Sequence, residues 1–210
     1  MLIPIKLETF LTNIDPYKLH VYEYHSNKIY SEKKVFGDTQ EITVKFLSHL
    51  SLNKNVFEFG TFRGQTTYNL SKKANKVYTF DLGTNNSNEG YPNYEVGEIY
   101  KKNNTKNITQ LIGNSTLFNF EEYYQKFDLV WLDGGHSYEV CKKDFETSLK
   151  LIRPKNQNTS IIIIDDYPSW KGVKKAVEEI ALTKNLYYIS ELGVIVYLNH
   201  STNHLTKVLI

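Results

Sequence analysis

The sequence predicts an α/β domain whose mainly parallel sheet is doubly wound, with helices on both faces. Three observations predict it. From residue 55 onward, short runs that are apolar at nearly every position alternate with stretches of helical period, and strands apolar throughout belong to parallel sheets covered on both sides. The last two runs are separated by only a few residues including Gly193, which predicts an antiparallel hairpin at one end of the sheet. The length of 210 residues suits one core and is too short for two large ones.

In order, residues 38–51, "DTQEITVKFLSHLS", predict a capped amphipathic helix leading into the domain. The predicted strands are "NVFEFG" (55–60), "KVYTFD" (76–81), "NITQLIG" (107–113), "DLVWLDGG" (128–135), "SIIIIDD" (160–166), "LYYIS" (186–190) and "GVIVYL" (193–198). Between them lie helical patterns, the clearest being "YEVCKKDFETSLKLI" (138–152) and "WKGVKKAVEEIALTK" (170–184). The expected division is an N-terminal extension, 1–37, followed by one domain, 38–210. The Tyr-rich extension either makes a dimer contact in a homo-oligomer or covers the active site. The polar run 83–106 is longer than an ordinary connection and reads either as a functional lid or as a locally disordered segment.

Composition narrows the partners. With 25 Lys and Arg against 23 Asp and Glu, no basic field marks a nucleic-acid or anionic-lipid partner. The N-terminal stretch resembles neither a secretory signal nor a transit peptide. The longest aliphatic run, "SIIIIDDY", falls far short of the roughly 20 residues a membrane helix needs. Cys141, the sole cysteine, rules out an internal disulfide and fits a reducing compartment. The expectation is a soluble, cytoplasmic protein, and charge does not name its partner.

In doubly wound sheets, ligands bind beyond the carboxyl ends of the strands, where strand order reverses. The polar residues predicted there are Glu58, Gly60, Asp81, Asn114, Ser115, Asp133, His136, Asp165 and Asp166. The first loop, Gly60-Thr61-Phe62-Arg63-Gly64, lacks the middle glycine of the dinucleotide fingerprint, and Glu58 would set negative charge close to a pyrophosphate. A cationic ligand without phosphate fits better, and S-adenosylmethionine has an amino group and a sulfonium. Asp81 lies about 20 residues beyond the loop, where an acid accepts from ribose hydroxyls.

These stretches together, from "VFEFGTFRGQTT" through "VYTFDLG", "FDLVWLDGGHSYEVCKKDFETSLKLIRP" and "IIIIDDYPSWKGVKKAVEEI" to the C-terminal hairpin, resemble the class I S-adenosylmethionine-dependent methyltransferases. The similarity is to the small-molecule O-methyltransferases that include antibiotic-sugar (macrocin-type) enzymes, and it spans roughly residues 50–198. It implies a Rossmann-like seven-stranded sheet. It implies that Glu58, Gly60, Thr61 and Gly64 form the first cofactor loop, that Asp81 binds ribose, and that Asn114 and Ser115 lie near adenine, with Asp133 also beside the cofactor. Asn114 replaces the aspartate frequent at that position, and its amide oxygen would accept from the adenine amino group.

The resemblance further implies that Asp133, Asp165 and Asp166 bind Mg²⁺ or another divalent cation, although metal-independent relatives exist. It implies that His136, beside Asp133, is the general base, a task suited to an imidazole that ordinarily titrates near neutral pH. Tyr167 and Trp170 either line the substrate pocket or pack under the last helix. His200 and His204 are spaced for one helical turn without a third ligand nearby. Rival readings are a cofactor-binding module without methyl transfer and an NAD-dependent oxidoreductase. A nucleic-acid methyltransferase is suggested only by the loose likeness of "DDYP" to an Asn/Asp-Pro-Pro-Tyr motif.

Overall fold

A computed structural model describes residues 1–14, 41–83, 94–154 and 159–199. Its elements are β1 (Leu2–Ile5), α1 (Leu7–Ile14), α2 (Glu41–Leu50), β2 (Asn55–Phe59), α3 (Gln65–Ser71), β3 (Lys76–Asp81), α4 (Glu98–Lys102) and β4 (Ile108–Ile112). They continue with β5 (Leu129–Leu132), α5 (Tyr138–Leu151), β6 (Ser160–Ile164), α6 (Lys171–Ile180), β7 (Leu186–Ile189) and β8 (Val194–Asn199).

The strands form one sheet in the order β1-β7-β8-β6-β5-β2-β3-β4. Every described pairing is parallel except those of β8 with β6 and with β7. All seven predicted strands form, so the fold class holds, with two differences. An eighth strand, β1, pairs in parallel with β7 from Leu2↔Leu186 to Ile5↔Ile189. β7 consequently lies inside the sheet and β1 takes the edge, while the antiparallel strand β8 sits between β7 and β6. Pro4, exposed within β1, suits an edge because proline has no N–H to give a further strand. The expected division at residue 37 lies outside the described residues, and β1, on its N-terminal side, belongs to the domain sheet.

Strand alternation distributes the core over two faces. Leu129 and Trp131 of β5, with Ile161 and Ile163 of β6, join Phe10, Phe46, Leu47 and Leu70 on one face. Val130 and Leu132, with Ile162 and Ile164, join Phe145, Val173 and a group of phenylalanines on the other. Those rings pack edge to face, with Phe57 and Phe127 at 5.1 Å and 77° and Phe80 and Phe118 at 5.0 Å and 75°, an arrangement favoured by the aromatic quadrupole. Because β2, β3 and β4 run to one side while β5 and β6 lie on the other, strand order reverses between β2 and β5, and the carboxyl ends of these five strands open on one side.

Candidate functional site

A cleft of about 680 Å³ lies over the reversal point, within the range of cofactor sites. The loop after β2 forms one wall. Gly60 has φ +93°, and a Cβ there would lie 1.8 Å from the backbone oxygen of Asp133. Only glycine lets the β2 and β5 loops approach this closely. The loop is then tied to Asp81. The N–H groups of Thr61 and Phe62 donate to Asp81 Oδ2 at 3.0 and 2.9 Å, and that of Gly83 donates to Oδ1 at 3.0 Å. Phe62 holds φ +47°, a strained value for an aromatic residue that this anchoring sustains.

Gly60, Thr61, Asp81, Asn114 and Ser115 border the cleft on this side, and Asp133, His136, Asp165 and Asp166 border it on the other. Two expected cofactor residues do not. Glu58 is fully buried below the loop, where its Oε2 accepts from the hydroxyls of Thr67 and Thr79 and its Oε1 has no partner. Burial pushes its carboxyl up to about 7, against the opposing effect of the two hydroxyls. It therefore supports the loop from beneath and offers nothing to a ligand in the cleft. Gly64, at φ +83°, sits against α4, and a Cβ there would lie 2.7 Å from the Tyr100 ring. It serves helix packing.

The expected Asn114 contact also changes, because its Oδ1 already accepts from Thr116 N at 2.9 Å and Thr116 Oγ1 at 2.7 Å. Both lone pairs are engaged in a local turn, leaving the amide nitrogen as the free group for a ligand. Ser115 instead leads to a residue that sequence reasoning missed. Its side chain hydrogen-bonds Asp144 of α5, which is only 3% exposed, has an Oδ1 without a partner and borders the cleft. Burial raises the Asp144 carboxyl to about 7, the bond from Ser115 opposing it.

On the far side, the N–H groups of Ser169 and Trp170 close back on the oxygen of Asp166 at 3.0 and 3.1 Å. That turn lays Trp170 flat on His136, with ring centroids 4.3 Å apart and planes within 5°. His136 Nε2 lies 2.9 Å from Asp166 Oδ2. Gly172 permits this proximity, since a Cβ there would meet the His136 oxygen at 2.3 Å. Trp170 thus lines the cleft, whereas Tyr167 packs edge-on against Tyr188 at 5.1 Å. Among the described residues, Asp133, His136 and Asp166 each offer one ligand atom within 4.8 Å of the others.

Asp165, expected in the metal set, is not in that group. Its Oδ1 accepts from the N–H of Asp166 at 2.9 Å, and burial first, then the Asp166 charge, holds its carboxyl above the usual range. A donor set of two carboxylates and an imidazole fits a divalent ion such as Mg²⁺ or Mn²⁺ less narrowly than an all-oxygen set, and admits Zn²⁺ as well. Within the expected lid, residues 84–93 lie outside the described residues. Residues 94–106 include α4, whose N-terminal region holds the first loop through Gly97 N to Phe62 O at 2.8 Å and Ile99 N to Arg63 O at 3.0 Å. His200 and His204 also lie outside the described residues.

The sequence model of a family described as a methyltransferase domain matches residues 57–167, which are 111 of the 210 residues. Solved structures share the fold. An O-methyltransferase from Bacillus cereus in complex with SAH is 18% identical, with 87% of this chain and 97% of that one covered and a TM-score of 0.58. TomG from Streptomyces achromogenes, an O-methyltransferase of tomaymycin synthesis in complex with SAM, is 17% identical over 78% and 82% of the two chains, at 0.56. CalS11, a TDP-rhamnose 3'-O-methyltransferase of calicheamicin biosynthesis, is 15% identical over 74% and 77%, at 0.54. A comparison with curated proteins finds no match.

Proposed function

The chain belongs to the methyltransferase-domain family, and from that premise we propose that it uses S-adenosylmethionine to methylate a hydroxyl of a small molecule, with a sugar or glycosylated metabolite as the first substrate class to test. One observation carries this reading. The glycine-cradled loop after β2, Asp81, Ser115 and the Asp133–His136–Asp166 group all face one cleft at the reversal of the sheet. When bound, S-adenosylmethionine supplies an electrophilic methyl group on its sulfonium.

The residues then divide the work. Gly60 and Thr61 admit the amino-acid end, and Asp81, with lone-pair capacity beyond its three backbone donors, receives the ribose hydroxyls. Ser115 and Asn114 border the adenine. His136, clamped by Trp170 and Asp166, is the general base. With Nε2–H donating to Asp166 Oδ2, the lone pair at Nδ1 takes the proton of the acceptor hydroxyl. The planar stack and the carboxylate fix the ring, so rate is gained from orientation as well as basicity. Asp133 and Asp166 are the carboxylates that would hold a divalent cation beside His136, and the cation would lower the hydroxyl pKa. The neighbours named as O-methyltransferases support oxygen as the acceptor.

The test is a screen of hydroxyl-bearing small molecules with methyl-labelled S-adenosylmethionine, with and without Mg²⁺ and chelator. Transfer to a neutral sugar or glycoside, abolished in His136→Ala, supports the reading. Cofactor binding with no transfer to any acceptor would favour a non-catalytic binding module. Label found on nitrogen in the product would refute hydroxyl chemistry.

A further inference from the structure

Beneath the cofactor loop, a row of polar side chains crosses the sheet where apolar residues would be expected. Glu58 of β2 is in register with Thr79 of β3, and Thr79 with Gln110 of β4. Glu58 and Thr79 are completely buried. Tyr100 of α4, only 6% exposed, donates its hydroxyl to Gln110 Oε1 at 2.6 Å. Gln110 Nε2 faces the backbone oxygens of Thr79 and Leu111 at 3.1 and 2.9 Å and Thr61 Oγ1 at 3.0 Å.

Backbone oxygens only accept, which fixes the amide orientation and puts Nε2, the donor end, toward Thr61 Oγ1. Thr79 directs its one proton to Glu58 Oε2 at 2.6 Å, so Thr61 is the donor in its 2.6 Å contact with Thr79 Oγ1 and accepts from Gln110 Nε2. The donors run one way, from Tyr100 to Glu58. Thr61 is thereby pinned by its side chain while its N–H points at Asp81.

We propose that Gln110 and Tyr100, neither of which borders the cleft, are positioning residues for the cofactor: they orient Thr61 through this one-way row and so fix the loop that receives S-adenosylmethionine. The inference rests on the cofactor assignment made above. Removing the Gln110 amide leaves Thr61 free to turn its hydroxyl. Removing the Tyr100 hydroxyl unseats the amide from its other end. Both changes act on the loop without touching the ligand.

The experiment compares wild type, Tyr100→Phe and Gln110→Leu by calorimetric titration with S-adenosylmethionine and by amide hydrogen exchange of the ligand-free proteins, with denaturant melts as control. The expected result is a dissociation constant raised about tenfold in Gln110→Leu, equivalent to ~1.4 kcal/mol, and several-fold in Tyr100→Phe. Exchange should quicken at Thr61–Gly64 while β5 and β6 stay protected. Wild-type affinity and loop exchange in a folded variant would overturn the proposal, as would exchange that rises equally throughout the sheet, which marks a merely structural loss. Tyr100→Phe, lacking a single oxygen, carries the test where Gln110→Leu fails to fold. Absence of cofactor binding by the wild type would sink the cofactor assignment, and the exchange measurement would still decide whether these residues hold the loop.

Discussion

Replacing Glu58 by Gln should remove a large part of the pH dependence of stability. The folded carboxyl is raised from 4.5 to about 7 by burial, so between these values the folded chain keeps a proton that the unfolded chain has lost. Its contribution to stability is fully present below pH 4.5 and is lost as pH rises through 7. Linkage with these two values gives a loss of about 2.5 kcal/mol between pH 5 and pH 8. The amide of the Glu58→Gln variant would not titrate. At pH 5 both side chains are neutral, keep an acceptor toward Thr67 and Thr79, and leave a donor at the unpartnered Oε1 position, so the two proteins should be nearly equally stable. At pH 8 the variant should be the more stable by roughly 2 to 3 kcal/mol. Asp144 and Asp165 shift in the same direction but are common to both proteins and cancel in the difference. Urea melts at pH 5, 6, 7 and 8, compared at constant m-value, measure it. Parallel pH profiles for the two proteins would refute a proton on buried Glu58.

Three further outcomes follow from the same geometry. Asp81→Ala removes the acceptor of three backbone N–H groups and the ribose partner, so S-adenosylmethionine affinity should fall at least tenfold, about the loss of one charge-assisted hydrogen bond; titration calorimetry reads it. Gly60→Ala places a Cβ where the Asp133 oxygen lies, and should cost more than ~3 kcal/mol in denaturant melts and abolish cofactor binding. His136→Ala should lower kcat by about 10² to 10⁴, the range of general-base catalysis, while the cofactor dissociation constant stays within about threefold; a kcat loss matched by an equal loss of cofactor affinity would contradict its role.

The strands were legible because parallel strands carry apolar residues on both faces, as the fully buried "LVWL" of β5 and "SIIII" of β6 do. β1 was not: it is four residues long, contains Pro4, and finds its partner at Leu186–Ile189, far along the chain. At the site, Gly60, Asp81 and Asp133 could be placed because strand ends converge at the reversal of the sheet. Glu58 was misplaced although its signal was present. Two-residue alternation sets it on the same face as Val56, toward α3 and Thr67 and away from the cleft. Asp144 was equally readable as an acid on the buried stripe of α5, with Cys141, Phe145 and Ser148.

The exchange of Asp165 for His136 in the ligand group had no such signal. Asp165 turns its Oδ1 onto the N–H of Asp166 and Asp166 takes a left-handed backbone at φ +62°, neither of which a sequence pattern encodes. Gln110 and Tyr100 were hidden for a related reason, since their meaning arises only when β2, β3 and β4 come into register.

Titrating the purified protein with S-adenosylmethionine, and separately with NAD, each with and without Mg²⁺, tests the central claim most directly. The account predicts saturable one-to-one binding of S-adenosylmethionine at micromolar concentration, weakened in Asp81→Ala and retained in Glu58→Gln, which keeps the acceptor that ends the polar row. No binding of S-adenosylmethionine under any of these conditions, or saturable binding of NAD in its place, would contradict it.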